Sequence, residues 1–309
     1  MIAFVFPGQG SQTVGMGKGF YDASPAARKL FDAANAALGF DLTRVMFEGP
    51  ESELALTANT QPAVLTASVA AAAACAERGL RPALVAGHSL GEYAALVVAG
   101  ALRLDDAVRI VRKRGEFMQQ AVPVGTGAMA AVMGLAIDAV EALCRDAAGG
   151  EVVEVANVNS AAQIVIAGHK PAVERAVALA GERGGKKSVL LPVSAPFHCA
   201  LMQPAAERLA AELAHVPIAD PTIPVVRNVD AGVTRAARDV VPFLLMQVAS
   251  PVRWTECVQR LSAEGATAFV EVGPGRVLTA LTRRIVEGAK ALSVEDPASL
   301  DKTLTAVTA

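Results

Sequence analysis

Apolar and polar positions along the chain alternate between two kinds of pattern. Short, unbroken apolar runs at residues 2–6 and 83–86 are typical of strands that are buried on both faces. Amphipathic stretches of helical length follow them, at residues 25–38, 61–78 and 90–98. This alternation predicts an α/β protein with a mainly parallel sheet.

The pattern changes between residues 127 and 193. Here the predicted strands and helices follow one another as β-α-β-β-α-β, at residues 129–133, 137–147, 152–155, 163–167, 171–183 and 188–191. That order is typical of the split βαβ, or ferredoxin-like, arrangement. We therefore expect residues 127–193 to form a ferredoxin-like subdomain inserted into a large α/β domain of residues 1–126 and 194–309, with a cleft between the two.

Strands and helices alternate again after residue 193. The pattern predicts a helix, a strand, two helices and a strand, at residues 200–214, 222–226, 242–247, 256–264 and 268–272. The tight turn Gly273-Pro274-Gly275 then precedes what the pattern predicts to be the last helix of the chain.

Composition and charge narrow the class of protein. The 309 residues are 53% hydrophobic with a net charge of −2, so a large aliphatic core is possible and nonspecific binding to nucleic acid is not expected. The uncharged stretch 117–137 is interrupted by Pro123 and three glycines, which excludes it as a membrane span, and the first residues lack the features of a signal peptide. Four scattered cysteines indicate a reducing compartment, so we expect a cytoplasmic protein.

A candidate nucleophile follows the second predicted strand. Gly87-His88-Ser89-Leu90-Gly91 fits G-x-S-x-G, the nucleophile elbow, in which glycines make room for a sharp strand-to-helix turn around the serine. The N–H groups and the dipole of the following helix can stabilise an oxyanion. The elbow and the parallel sheet together predict an α/β-hydrolase-like large domain. The alternative is an ordinary structural turn, since the pattern alone fixes few residues.

A serine nucleophile needs an adjacent base, and the chain contains only four histidines. His88 is expected to point away from Ser89 on the turn, His169 to lie on a surface turn, and His215 to end a helix. His198, on a loop between the insert and the next helix, remains as the candidate base, with an ordinary loop histidine as the alternative. No Asp or Glu lies in a motif-like position to orient it, so a backbone carbonyl is the expected orienter, which weakens a simple esterase assignment.

Several short motifs occur here in the order seen in malonyl-CoA:acyl carrier protein transacylases, a family that the chain resembles over essentially its whole length. They are residues 6–12 (FPGQGSQ), residues 87–92 (GHSLGE), Arg114-Gly115, residues 157–160, Phe197-His198 and residues 247–254. Each motif is modest alone, and the combination is specific to the family.

The resemblance implies a catalytic role for four residues. Ser89 would attack the malonyl thioester, and His198 would act as the base and then protonate the departing CoA thiolate. The backbone N–H groups of Gln9 and Leu90 would form the oxyanion hole.

The resemblance also implies a set of binding residues. Arg114 would pair with the free malonyl carboxylate; the alternative from the residues alone is a solvated helix face, since Arg112-Lys113-Arg114 is a basic run. The backbone carbonyl of Gln247 would hold the imidazole. Gln61 and Asn159 would be polar contacts in the cleft. Phe197 resembles the malonyl-selecting residue of polyketide synthase acyltransferase domains, although Ala195-Pro196 precedes it here in place of the usual His-Ala.

The function implied is transfer of malonyl from malonyl-CoA to the phosphopantetheine thiol of an acyl carrier protein, by a monomer without a cofactor or metal. Three alternatives remain open: a serine hydrolase or thioesterase of the α/β-hydrolase type, a discrete acyltransferase serving a polyketide synthase, and a non-catalytic carrier-binding scaffold. The hydrolase predicts a histidine near the C-terminus, whereas the last histidine is His215. Ser89, His198 and Arg114 argue against the scaffold.

Overall fold

Two β-sheets organise the protein in a computed structural model that describes residues 1–193 and 195–308. The strands are β1 (Ile2–Phe6), β2 (Leu84–Gly87), β3 (Gly127–Met133), β4 (Val153–Ser160), β5 (Gln163–His169), β6 (Lys187–Leu190), β7 (Val225–Val226), β8 (Val233–Thr234), β9 (Ala268–Val272) and β10 (Lys290–Val294). The predicted domain boundary at Ser194, and the chain end at Ala309, lie outside the described residues.

Helices cover and connect the sheets. They are α1 (Lys18–Ala23), α2 (Pro25–Leu38), α3 (Leu42–Glu48), α4 (Glu51–Leu54), α5 (Thr57–Glu77), α6 (Gly91–Val98), α7 (Leu104–Gln120), α8 (Ile137–Ala148), α9 (Lys170–Glu182), α10 (Gln203–Leu213), α11 (Ala237–Val248), α12 (Trp254–Ala263), α13 (Val277–Ile285) and α14 (Pro297–Thr308), with a 3₁₀ turn (Ala200–Met202) before α10. In the described residues, no helix combines the length and apolar character that a bilayer span requires.

The large sheet has the strand order β10-β9-β1-β2-β7-β8. All neighbouring strands are parallel except β7 and β8. Side chains of β1 alternate between its faces, so that Phe4 and Phe6 pack under α5 and its neighbours while Ala3 and Val5 pack against α12 and α13. The predicted α/β class with a mainly parallel sheet is confirmed.

Some predicted elements were wrong in length or number. The strand expected at residues 222–226 is reduced to β7, and the helix expected at 242–247 is the C-terminal half of α11. The helix after Gly275 is not the last element, because β10 and α14 follow it. Strand β10 was not predicted because its sequence, KALSV, lacks a continuous apolar run. Such a run is not needed here, since β10 lies at the edge of the sheet with Lys290 exposed.

The small sheet is antiparallel, with the order β4-β5-β3-β6, and its elements follow one another along the chain as β-α-β-β-α-β. Ala130 and Val132 of β3 pack with α8 and α9 on one face, whereas Met129 and Ala131 join the main core on the other. Two backbone hydrogen bonds join β4 to the segment before α12. Val158 N donates to the carbonyl oxygen of Val252 (2.9 Å), and Val252 N donates to the carbonyl oxygen of Ala156 (2.8 Å).

Two glycines let the loop after β1 lie directly against the turn after β2. A Cβ at Gly91 would lie 2.1 Å from the carbonyl oxygen of Phe6, and a Cβ at Gly8 would lie 2.6 Å from that of His88. Neither obstacle is a flexible side-chain end, so a larger residue would separate the two strands locally. Glycine at these positions therefore brings the ends of β1 and β2 into contact.

We expect Gly91→Ala to lower the free energy of unfolding by about 1–3 kcal/mol, because the added methyl group must displace the backbone of β1. Thermal unfolding followed by circular dichroism measures the change. Gly181→Ala is the matched control, since a Cβ at this exposed position of α9 meets nothing within 4 Å and alanine is the better helix former. Equal loss of Tm in both variants would contradict the close-approach argument.

Candidate active site

Ser89 lies on the sharp turn between β2 and α6, as the elbow pattern predicts. Its φ of 51° is in the left-handed region, which a residue other than glycine adopts only when its surroundings hold it there. The turn is held by Asn228, whose Oδ1 accepts from Ser89 N (2.7 Å) and whose Nδ2 donates to Gly87 O (2.7 Å). The serine hydroxyl is thereby presented at the carboxyl end of the parallel sheet, where α/β sheets form their ligand sites.

His198 reaches Ser89 across 109 residues of sequence. Its Nε2 lies 2.6 Å from Ser89 Oγ, and its Nδ1 lies 2.9 Å from the carbonyl oxygen of Gln247. Because a carbonyl oxygen only accepts, Nδ1 carries the ring proton and Nε2 is free to accept from the serine hydroxyl. Burial, and next the positive charge of Arg114, lower the pKa of His198 to about 3, so the imidazole is neutral at physiological pH.

Arg114 brings a positive charge to the hydroxyl of Ser89 although only 2% of the arginine is exposed. Its guanidinium donates to Ser89 Oγ (3.2 Å), Gln61 Oε1 (2.9 Å) and Gln247 Oε1 (3.0 Å), and it lies over the ring of Tyr93. All three acceptors are neutral. Across the ranges that the structure describes, no carboxylate forms an ion pair with Arg114, so its charge is available to an anionic ligand.

The loop after β1 and the start of α6 supply two free backbone donors. Among the described residues, neither the N–H group of Gln9 nor that of Leu90 donates a hydrogen bond. Because Gly8 has no side chain, this loop lies directly against His88. Leu90 is the residue that flanks the N-terminus of α6. Both donors are therefore available to an oxygen bound at the end of the sheet.

The other two predicted contact residues lie one step further out. Asn159, in β4, has its Oδ1 2.9 Å from Nε2 of His88, whose ring packs against Trp254. Asn159 is thus linked to the elbow through His88. Phe197 precedes His198, is 8% exposed and belongs to the main hydrophobic core.

Two residues of the site, Asn228 and Glu92, were not predicted from the sequence. Asn228 gave no signal, since it is a single polar residue in the loop after the two-residue strand β7. Glu92 follows the elbow in the otherwise apolar α6, and that contrast is a signal that could have found it. Its Oε2 accepts from Gln247 Nε2 (2.8 Å) and Asn228 N (3.1 Å), so a carboxylate is present but does not contact His198. Residues 1–193 and 195–308 contain no cluster of three His, Cys, Asp or Glu that could ligate a metal.

Comparison with known proteins identifies the family. The model of the acyl transferase domain matches residues 3–302. The chain belongs to the acyl transferase domain family. The family resemblance stated from the sequence motifs is confirmed.

Relatives within the acyl transferase family match over nearly their whole length. The malonyl CoA-acyl carrier protein transacylase of Salmonella typhimurium is 50% identical over 305 residues, 98% of this chain and 99% of that protein. The crystal structure of an acyl carrier protein S-malonyltransferase from Vibrio cholerae has a TM-score of 0.96 at 49% identity, covering 98% of this chain and 99% of that one. A type II PKS acyl-carrier protein in complex with its malonyl-transacylase gives 0.96 at 46%, covering 99% of both.

The low pKa of His198 predicts a pH-dependent contribution to stability. A histidine in the unfolded chain has a pKa of about 6.5. Between about pH 3 and pH 6.5, His198 is therefore protonated in the unfolded state and neutral in the folded state. The free energy of unfolding therefore falls as pH is lowered through this window, by up to about 1.4 kcal/mol per pH unit. His198→Gln lacks this contribution, so its Tm should fall less than that of the wild type between pH 7.5 and pH 5.

The same comparison separates His198 from other buried groups. Burial raises the pKa of Glu92 to about 7, so Glu92 acts in the opposite direction, binding its proton more tightly in the folded state. It is present in both proteins, as is His88, and the difference between the two Tm curves therefore reports His198. Parallel curves would show that His198 is protonated normally in the folded protein.

Proposed function

We propose that this protein transfers the malonyl group from malonyl-CoA to the phosphopantetheine thiol of an acyl carrier protein, through a malonyl ester on Ser89. One observation carries the proposal: Ser89 Oγ lies 2.6 Å from the neutral base His198 and 3.2 Å from a buried guanidinium without a carboxylate partner in the described chain. A nucleophile beside a cation that has no direct anionic partner suits an acyl group that bears its own carboxylate. The names of the relatives agree with this chemistry.

The first half-reaction acylates Ser89. The Oγ attacks the thioester carbonyl carbon while its proton passes to Nε2 of His198, and the oxyanion accepts from the N–H groups of Gln9 and Leu90. The intermediate collapses with cleavage of the C–S bond, and the CoA thiolate takes the proton from His198. The second half-reaction runs the same steps in reverse, with the thiol of the carrier protein as the nucleophile.

Arg114 selects the acyl group. In the free protein its planar guanidinium donates to three neutral oxygens, and a malonyl carboxylate replaces the weakest of these contacts with a two-point, charge-assisted pair. The amide oxygens of Gln61 and Gln247 keep the guanidinium facing the serine. An acetyl group leaves this buried charge without an anion, which disfavours it. Asn159, through His88, and Phe197, beside His198, complete the walls of the site.

The orientation of His198 distinguishes this site from that of a serine hydrolase. A hydrolase triad places a carboxylate on Nδ1 of the histidine, whereas here a main-chain carbonyl occupies that position. The carbonyl fixes the same tautomer and adds no negative charge beside the substrate carboxylate. The carrier protein is of the fatty-acid or polyketide type, and a relative solved with its type II PKS carrier supports a discrete carrier as the acceptor.

The two sheets support a two-part architecture for the reaction. We interpret residues 127–193 as a ferredoxin-like subdomain, because β3–β6 have the β-α-β-β-α-β order with α8 and α9 on one face, and residues 1–126 and 194–309 as an α/β-hydrolase-like catalytic domain. The substrates would enter the cleft between them, where Asn159 of β4 approaches the elbow. Four buried, unpaired cysteines among the described residues support a cytoplasmic location.

Malonyl-CoA is expected to leave a malonyl ester on Ser89 that intact-protein mass spectrometry detects and peptide mapping locates. Addition of a phosphopantetheinylated acyl carrier protein should move that mass to the carrier. Ser89→Ala, which removes only the hydroxyl, is expected to take no adduct. Rapid release of free malonate without transfer would identify a hydrolase, and an unmodified wild-type protein would refute both enzymes.

Arg114→Ala is expected to reduce malonyl transfer by about a hundredfold or more while affecting acetyl transfer much less, because only malonyl pairs with the guanidinium. The measurement is kcat/KM for malonyl-CoA and for acetyl-CoA with the same carrier protein. Lys113→Ala is the matched control, since this neighbouring lysine is partly exposed and pairs with Glu212. Equal losses for both acyl groups would refute the selecting role of Arg114.

A further inference from the structure

Glu92 is a buried carboxylate at the centre of the site that the reaction steps above do not use. It lies on α6, three residues after Ser89, and is 3% exposed. Its Oε2 accepts two hydrogen bonds, one from Gln247 Nε2 (2.8 Å) and one from Asn228 N (3.1 Å). A buried carboxylate costs free energy unless its hydrogen bonds and charge partners compensate it, so its presence beside the elbow requires a reason.

Both partners of Glu92 hold the reacting groups. Asn228 holds the backbone on both sides of the elbow through Ser89 N and Gly87 O. Gln247 holds His198 through its main-chain carbonyl and Arg114 through its side-chain oxygen. One carboxylate oxygen is therefore a single residue away from the nucleophile, the base and the selecting cation.

The amide of Gln247 has only one orientation that satisfies its neighbours. Its Nε2 donates to Glu92 Oε2 and to the carbonyl oxygen of Ser89 (3.0 Å), while its Oε1 accepts from Arg114. Rotation by 180° would set the amide NH₂ against the guanidinium and the amide oxygen against the carboxylate and the carbonyl. A charged acceptor makes the strongest of these bonds, so Glu92 contributes most to the observed orientation.

Glu92 is also the acidic group joined to Arg114 through one bridging amide. The Gln247 amide lies between the Glu92 carboxylate and the Arg114 guanidinium and is hydrogen-bonded to both. The negative charge of Glu92 therefore lies behind Gln247 and leaves free the side of Arg114 that contacts Ser89. Burial raises the pKa of Glu92 to about 7, and the hydrogen bonds from Gln247 and Asn228 and the charges of Arg227 and Arg114 oppose that rise. Among the described residues, Tyr93 on α6 and Cys257 on α12 also interact electrostatically with Glu92, and both stay protonated because burial raises their pKa values.

We propose that Glu92 is a positioning residue whose ionised carboxylate fixes the Gln247 amide, and through it Arg114 and His198, in the arrangement that accepts a carboxylate-bearing acyl group. The inference rests on the proposed malonyl transfer. In the ionised form Oε2 receives both donors, and the counter-charge behind Gln247 supports the cationic Arg114. Protonation removes that charge and weakens both hydrogen bonds, so the site is fully arranged only above the pKa of Glu92.

The pH profile of Ser89 acylation tests this inference. Because His198 is neutral down to about pH 3, its titration in the free protein produces no limb near neutrality. The wild-type kcat/KM for malonyl-CoA should therefore rise through about pH 7 as Glu92 ionises. Glu92→Gln keeps the volume and an oxygen acceptor but does not ionise, so this limb should disappear. A Glu92→Gln variant that keeps the wild-type limb would overturn the inference.

Glu92→Leu removes both the acceptor and the charge. We expect it to lower kcat/KM for malonyl-CoA at pH 8 by about tenfold or more, and Glu92→Gln to recover part of that loss because it restores the hydrogen-bond acceptor. Wild-type rates in the leucine variant would overturn the inference. If the leucine variant does not fold, as judged by circular dichroism, the pH profile of Glu92→Gln decides the question alone.

A control variant and one prior measurement keep the two proposals separate. Glu116→Gln, on α7, alters a partly exposed carboxylate that pairs with Arg112, and its rate and pH profile should equal those of the wild type. Formation of the malonyl adduct on wild-type Ser89 is measured first. Without that adduct the proposed function itself fails and the inference fails with it. With the adduct present and the pH limb unchanged in Glu92→Gln, only the role of Glu92 fails.

Discussion

The arrangement of the site depends on one residue that is bonded through both its main chain and its side chain. The carbonyl oxygen of Gln247 fixes the imidazole of His198, and the amide of the same residue fixes Arg114 and contacts the carbonyl of Ser89. Gln247 is fully buried near the C-terminal end of α11. The positions of the imidazole and of the guanidinium, the proposed base and the proposed selecting cation, are therefore not independent, because any shift of this end of α11 moves both.

The parallel sheet supplies the second condition. Strands β1, β2 and β7 lie side by side in the sheet, and the chain leaves their carboxyl ends toward the same edge. The residues that follow these strands are Gln9, Ser89 and Asn228, which come from distant parts of the sequence and meet because the strands do. Gly8 and Gly91, which have no side chain, let the loop after β1 lie directly against the turn at Ser89. The site is thus a product of strand order and close backbone packing.

The sequence predicted those parts of the fold and site that have a local signature. The apolar run predicted β1, the glycines around Ser89 predicted the sharp turn, and the small number of histidines led to His198, which lies 2.6 Å from Ser89 Oγ. Asn228 had no local signature, and Glu92 had only its contrast with the apolar residues of α6, since their contacts involve neighbours about 140 residues away that only the folded chain brings together. The edge strand β10 was missed for a related reason, because a half-exposed strand does not need the continuous apolar run that marks a central one.

Ser89 and His198 both have backbone conformations that L-amino acids disfavour, with φ of 51° at Ser89 and 61° at His198. Each such residue costs on the order of 1 kcal/mol relative to a relaxed backbone. A chain selected only for folding would gain by placing glycine at both positions, and would then have neither the hydroxyl nor the imidazole. The protein therefore has lower conformational stability at the two positions of the proposed nucleophile and base. The hydrogen bonds around Asn228 and Gln247 hold both residues in these strained conformations.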